Sequence, residues 1–297
     1  MKKALIILLT LCLVIQLAAC TNTEKSGRLM IASGIIPVTS FITEVAGDLM
    51  DIVTLIPPGN SPANYQPSSG EMQALSDSVI YFTLQMPTEE ANILPKVHDF
   101  NKNIEIVNLR NIVSETYPLR MIDDHGHDEE DSPDELSVDP HLWLSPKRSI
   151  LMVRAIADAL SEIDPVNKDT YEANASAYIS EIESLDSEIK IRLGTFPNKA
   201  FMIYHGSYGY FAEDYGFEMI SIEAAGKQAT AAEIQEVIEH ANEEGIKVIF
   251  YQDEFDDSQA QTIADEIGGS VQKASPLSAD YLTSMREFVY ALEHQGD

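Results

Sequence analysis

The sequence predicts an α/β protein of two β/α lobes with mostly parallel sheets, joined by a single long helix. Three observations predict it. Short apolar runs alternate with helical runs before residue 145 and again after residue 194, as in parallel β/α units. Between them, neither Gly nor Pro interrupts Val166 to Leu193. Along that run Tyr171, Ala175, Tyr178, Ile182, Leu185, Ile189 and Leu193 recur at three- and four-residue steps, one apolar stripe on a polar helix. From Pro165 the helix would reach ~44 Å at 1.5 Å per residue. That length suits a strut along two lobes better than a turn between neighbouring strands.

The chain opens on what reads as a leader. Lys2 and Lys3 precede Ala4 to Ala19, apolar but for Thr10 and Gln16, and Leu17-Ala18-Ala19-Cys20 resembles a bacterial lipobox. This predicts a signal peptide over residues 1–19, lipid on Cys20 and a polar tether over 20–28. A plain anchor helix needs ~20 apolar residues, and this run is shorter. Of the two cysteines, Cys12 leaves with the leader and Cys20 takes the lipid. No thiol then remains for a disulfide, a thiolate metal site or a Cys nucleophile.

Lys and Arg number 19 against 48 Asp and Glu, a formal net charge of −29. Such a surface repels nucleic acid, so none is expected as a partner. It draws cations weakly and without selectivity. A merely soluble acidic surface explains the charge equally well.

Arg28 to Ala32 reads as a strand, and a helix from Pro37 to Ala46 ends at Gly47, with Pro near its start and Gly after its end. Asp51 to Ile56 is a second strand, and Pro57-Pro58-Gly59-Asn60-Ser61-Pro62 is a loop. Glu71 to Ser76 is a short helix, Val79 to Phe82 a third strand. Glu89 to Asp99 is a helix broken or kinked by Pro95, and Ile104 to Val107 a fourth strand. Asn108 to Val138 reads as one long loop. Its middle, Asp123 to Asp131, sets His125 and His127 among carboxylates that could collect divalent cations loosely; a solvated insert with incidental His explains them as well.

After Pro146 a helix runs to Ile163. Asp164-Pro165 starts the long helix, with Asp as N-cap and Pro in the first turn. The second lobe repeats the pattern. Strands are expected at Ala200 to Tyr204, Glu218 to Ile222, Lys247 to Tyr251 and Ser270 to Lys273. Helices are expected at Ser207 to Tyr215, Ala231 to Glu244, Ser258 to Ile267 and Ala279 to Glu293. The lobes thus occupy 29–145, with the acidic loop at 119–138, and 194–297, with connecting helices over 146–193.

In open parallel sheets, ligands collect beyond the carboxyl ends of the strands. His205 falls just after one strand and Asp256 a few residues after another, while the loop from Pro57 to Pro67 follows a third. His141, beside the rigid Pro140, can reach the same edge. Two imidazoles and a carboxylate would suit Zn²⁺, or Mn²⁺ if oxygen ligands dominate. A lone His can equally be a hydrogen-bonded core residue. His98, His240 and His294 sit among polar helical neighbours and receive no role.

Asp139-Pro140-His141-Leu142-Trp143-Leu144-Ser145-Pro146, the lipobox and His205-Gly206-Ser207-Tyr208-Gly209-Tyr210 resemble the zinc/manganese-type solute-binding lipoproteins of ABC importers. So do Ile249-Phe250-Tyr251 through Asp256-Asp257, Pro276-Leu277 and Tyr281-Leu282. The resemblance covers nearly the whole mature chain in order. It implies a metal site in the cleft between the lobes and delivery of Zn²⁺ or Mn²⁺ to a membrane ABC permease by a lipid-anchored monomer outside the cytoplasm. It carries His141, His205 and Asp256 onto ligand positions. The family's usual Pro-His-x-Tyr-x-Pro loop reads here Pro62-Ala63-Asn64-Tyr65-Gln66-Pro67, so Ala63 stands where a ligand His is usual. The remaining position would fall to a water or to Glu254, Glu89 or Glu90.

Two other functions fit parts of the chain. A metalloenzyme would also use three protein ligands and a water, but no general base stands at a defined spacing, and no enzyme is expected. An adhesin-like surface binding protein with the same fold and weakened metal binding fits Ala63.

Overall fold

The computed structural model describes residues 27–123, 136–196, 199–223, 228–255 and 257–295. The expected leader, Cys20, His125, His127 and Asp256 lie outside the described residues. Two four-stranded sheets carry the fold, and every pairing within them is parallel. In the first, β1 (Met30–Ser33), β2 (Asp51–Thr54), β3 (Ile80–Thr83) and β4 (Glu105–Asn108) lie in the order β2-β1-β3-β4. In the second, β7 (Ala200–Ile203), β8 (Glu218–Ser221), β9 (Val248–Tyr251) and β10 (Ser270–Lys273) lie in the order β10-β9-β7-β8.

Side chains alternate across each strand, so each sheet feeds two cores. Ile31, Ile80 and Phe82 enter one cluster while Ala32 and Tyr81 enter another on the opposite face. In the second sheet Phe201, Ile203, Val248 and Phe250 join that first cluster, and Met202 and Ile249 face away from it. One continuous core therefore runs behind both sheets. The central strands β3 and β7 are buried throughout, as expected of parallel strands covered on both faces.

The shared core is closed by helices. These are α1 (Ile36–Ala46), α5 (Pro146–Ile163), α6 (Lys168–Leu193) and α10 (Tyr281–Glu293). All seven residues of the predicted stripe on α6 are buried, with Ile179 added. The helix is tied to the first lobe where Asn174 Nδ2 donates to the Val45 carbonyl at 3.0 Å. It is tied to the second where Arg192 Nε donates to Glu293 at 3.0 Å and Arg286 Nε to Glu188 at 3.0 Å. The lobes also touch directly: Phe41 meets Tyr281 edge-on at 5.2 Å, and Ser40 Oγ donates to the Ala279 carbonyl at 2.6 Å.

Three local expectations change. The span from Asn108 to Val138 is not one loop. It holds α4 (Leu109–Ser114), whose first turn is capped by Asn108, and an antiparallel pair, β5 (Met121–Asp123) with β6 (Leu136–Val138). Three-residue strands separated by a charged insert carry no local turn signal, and six residues are too few to show helical periodicity. The expected helix at Glu89 is a π turn (Glu89–Ile93), a 3₁₀ turn (Leu94–Lys96) and one α turn (Val97–Phe100), because Pro95 supplies no N–H to the ladder. Asp164 does not cap the backbone of the long helix; its carboxylate accepts from Asn167 Nδ2 and the Tyr171 hydroxyl, both at 2.7 Å.

Candidate metal centre

In both sheets the strand order reverses beside the first strand of the lobe, between β1 and β3 and between β7 and β9. Such reversals open a crevice at the carboxyl ends of the strands. The two crevices face a common cleft of about 570 Å³. The first lobe contributes Ala63 from the loop after β2 and Gln85 and Met86 from the end of β3. The second contributes His205 and Ser207 after β7, Glu254 and Phe255 after β9, and Pro276 after β10. His141 and Trp143 reach the cleft from the end of the first lobe, just before the connecting helix that starts at Pro146.

His141 and His205, separated by 64 residues in sequence, meet there with their Nε2 atoms 3.3 Å apart. Each ring has a carboxylate behind it. His141 Nδ1 lies 2.8 Å from Asp139 Oδ1, and the same oxygen accepts the His141 backbone N–H at 3.0 Å. His205 Nδ1 lies 3.2 Å from Glu223 Oε1. The register of β7 and β8 explains the second pair: Ile203 sits beside Ser221, so two residues further on His205 sits beside Glu223. A carboxylate at Nδ1 holds the ring proton there and leaves the Nε2 lone pair free. Two lone pairs then face each other across a gap that repels unless a cation lies between them. Metal–nitrogen distances of about 2.0–2.1 Å at a tetrahedral angle put two nitrogens about 3.3–3.4 Å apart. The observed separation fits.

The surroundings fix both rings. Phe255 stacks on His205 at 4.6 Å, and Trp143 packs beside His141 at 5.3 Å while its Nε1 donates to the Pro276 carbonyl at 2.7 Å. Gln252, fully buried, accepts from the His205 N–H and donates to the His205 carbonyl at 2.7 Å. Arg120 Nη1 donates to Asp139 Oδ2 at 3.0 Å, and Tyr210 donates its hydroxyl to the Asp139 carbonyl. Gly209 admits this arrangement, because a Cβ there would lie 2.6 Å from Arg120 Nη1 and 2.7 Å from Asp139 Oδ2.

At His141 electrostatics favour neutral imidazole. Burial lowers the His141 value, against the opposing pull of Asp139. Burial would push the Asp139 carboxyl up, but the His141 ring, the His141 N–H and Arg120 together hold it below the ordinary range. Burial raises Glu254.

A family described as ZnuA, zinc-uptake complex component A, periplasmic, matches residues 31–295. The chain belongs to this family. The zinc-binding lipoprotein AdcA of Streptococcus pneumoniae strain R6 is 30% identical, with 100% of this chain and 62% of that protein covered. The chain thus spans less than two thirds of that relative's length. The manganese-binding lipoprotein MntA of Halalkalibacterium halodurans is 26% identical, over 90% of this chain and 87% of that protein. A crystal structure of ZnuA superposes with a TM-score of 0.82 at 29% identity, covering 91% of this chain and 100% of that one.

Of the site residues expected from the sequence, His141 and His205 converge in the cleft of this family member. Glu254 and Glu90 line the same cleft, and Glu90 is paired with Arg110 at 2.7 Å. Glu89 points away into the first lobe, where it accepts from the Tyr81 hydroxyl at 2.5 Å and from the N–H groups of Leu84 and Met86. Among the described residues no three His, Cys, Asp or Glu side chains form a metal cluster. Glu223, Gln252 and Arg120 escaped the sequence reading. Nothing local marks them, since each acts through a neighbour supplied by a distant segment.

Proposed function

We propose that this protein is a lipid-anchored metal-binding component of an ABC importer, which captures Zn²⁺ or Mn²⁺ and hands it to a membrane permease. The observation that carries the reading is the facing pair of imidazoles, Nε2 to Nε2 at 3.3 Å, each backed by a carboxylate. The metal is cargo, so the residues bind and release it and perform no reaction. His141 and His205 would donate Nε2, Asp139 and Glu223 would orient the rings, and Asp256, Glu254 or water would supply the remaining donors. Glu90 stays a weaker candidate because Arg110 engages it. His125 and His127 would gather cations loosely outside the site. The names of the relatives support zinc and manganese as cargo and a lipoprotein form. We assign residues 1–19 to a signal peptide, 20–28 to a lipidated tether, and 29–145 and 194–297 to the two lobes.

The alternative, a surface binding protein of the same fold with weakened metal binding, rests on Ala63 alone. Metal analysis of the purified protein after chelation and re-addition separates the two. Stoichiometric zinc or manganese without hydrolytic activity is expected for the importer component. Protein that retains neither metal would favour the surface-protein reading.

A further inference from the structure

We infer that Asp214 is a positioning residue for the metal: through Ser145 and Arg148 it fixes the segment that carries His141 against the helix that follows His205. The inference rests on the metal-binding reading above and adds what sets the spacing of its two imidazoles.

Asp214 and Arg148 form a buried ion pair between two helices. They stand 66 residues apart in sequence, with side chains 7% and 3% exposed. Arg148 Nη1 donates to Asp214 Oδ1 at 3.0 Å and to Oδ2 at 3.2 Å. Lys147 pairs with Oδ1 from a more exposed position. Between the two stands the fully buried Ser145 hydroxyl, which donates to Asp214 Oδ2 at 2.5 Å and accepts from Arg148 Nη1 at 3.0 Å. A buried ion pair adds little net stability over apolar side chains of the same volume, and its best-attested use is to fix register. The register fixed here is that of the two imidazoles.

Helix α7 (Gly209–Tyr215) begins shortly after His205. Its first turn holds one end of the His141 segment: the Tyr210 hydroxyl donates to the Asp139 carbonyl at 2.9 Å and accepts the Arg120 N–H at 3.0 Å. Its last turn holds the other end, because Asp214 takes Ser145. His141 stands between these two ties. The Arg148 guanidinium lies 4.4 Å over the Tyr210 ring and joins one tie to the other. The link from α7 back to His205 is equally fixed. The Ser207 N–H donates to the His205 carbonyl at 2.7 Å, and Gln252 Nε2 donates to that carbonyl and to the Ser207 hydroxyl. A chain of hydrogen bonds thus runs from His205 through α7 to both ends of the His141 segment.

The Nε2 separation of 3.3 Å matches a tetrahedral metal, and a binding constellation tolerates only about 0.5 Å of error. Trp143 also closes the His141 segment onto Pro276. Loss of the Asp214 tie should therefore loosen the segment without freeing it, so that affinity falls and stoichiometry stays.

The test measures zinc affinity by dye competition, cobalt(II) absorption as a report of coordination geometry, and thermal unfolding. It compares the parent with Ser145→Ala, Asp214→Asn and Asn174→Ala. Ser145→Ala cuts the tie and leaves Asp214 paired with Arg148. It should weaken zinc about tenfold, the low end for groups that orient a ligand indirectly, and change the cobalt bands. Asp214→Asn should weaken zinc further; where it fails to fold, Ser145→Ala decides. Asn174→Ala loses a bond between α6 and the first lobe, away from this joint. It should lower thermal stability with affinity and cobalt bands unchanged. Parent-like affinity and cobalt bands in Ser145→Ala would overturn the proposal and leave the metal site standing. An equal loss of affinity in Asn174→Ala would mean general loosening and overturn it as well. If the parent binds no zinc, the metal-binding reading falls and the proposal with it.

Discussion

Asp139 divides its carboxylate between two duties: Oδ1 holds His141 and Oδ2 takes Arg120. Glu223 does the first of these for His205. Such orienting carboxylates usually govern affinity rather than the presence of a site, so Asp139→Asn and Glu223→Gln should each weaken metal binding about 10–100-fold with stoichiometry unchanged. Competition against a chelating dye would measure it. Asp139 also has a pH signature. Its folded value is held below the ordinary 3.8, so its contribution to stability is complete above that value. The contribution is lost as pH falls from there through the lowered folded value, and Asp139→Asn should flatten this acid limb in apo protein followed by circular dichroism. Glu89 makes the contrast. It is buried among two N–H groups and a phenol, so Glu89→Ala should destabilise by about 2–4 kcal/mol while metal stoichiometry stays intact. Loss of metal in a still-folded Glu89→Ala protein would restore it as a ligand candidate. The histidines were legible in the sequence because each stands at a rigid or strand-terminal position with few rivals. Their partners were not. Glu223 is matched to His205 only by the register of β7 and β8, and Arg120 reaches Asp139 only once β5 pairs with β6.

At the level of elements, long periodic runs were legible and short ones were not. The stripe on α6 announced both the helix and its buried face, because 26 residues sample the period many times. The second-lobe strands fell within a residue of their expected limits. By contrast α4, β5 and β6 contain six, three and three residues, and their partners or caps decide them rather than their own pattern. The helix α6 also joins the lobes mechanically, since its side chains bond to α1 at one end and to α10 at the other. Ile182, fully buried on its inner face, tests this. Ile182→Pro removes a helical hydrogen bond, clashes with the preceding turn, and should cost about 3 kcal/mol or more in thermal or denaturant unfolding. Unchanged unfolding would mean that the helix is not packed as described.

For the whole molecule, the arrangement makes one cleft out of two sheet edges. Neither lobe carries the imidazole pair alone: His205 follows a strand of the second sheet, and His141 stands at the end of the first lobe, where the neighbouring Trp143 is pinned to the second by its bond to the Pro276 carbonyl. The shared core behind both sheets and the contact of Phe41 with Tyr281 fix their spacing. Anchoring, as proposed, would be a separate property, because it would depend on Cys20 and not on the cleft. Cys20→Ala should release the protein from membranes in high salt with its metal binding unaltered, and a variant that still fractionates with membranes would refute the lipid assignment. The central claim is that His141 and His205 together hold one divalent metal. Titration calorimetry of zinc and manganese into metal-stripped parent, His141→Ala and His205→Ala tests it most directly. The account predicts stoichiometric binding by the parent, abolished in each variant; variants that bind both metals as tightly as the parent would contradict it.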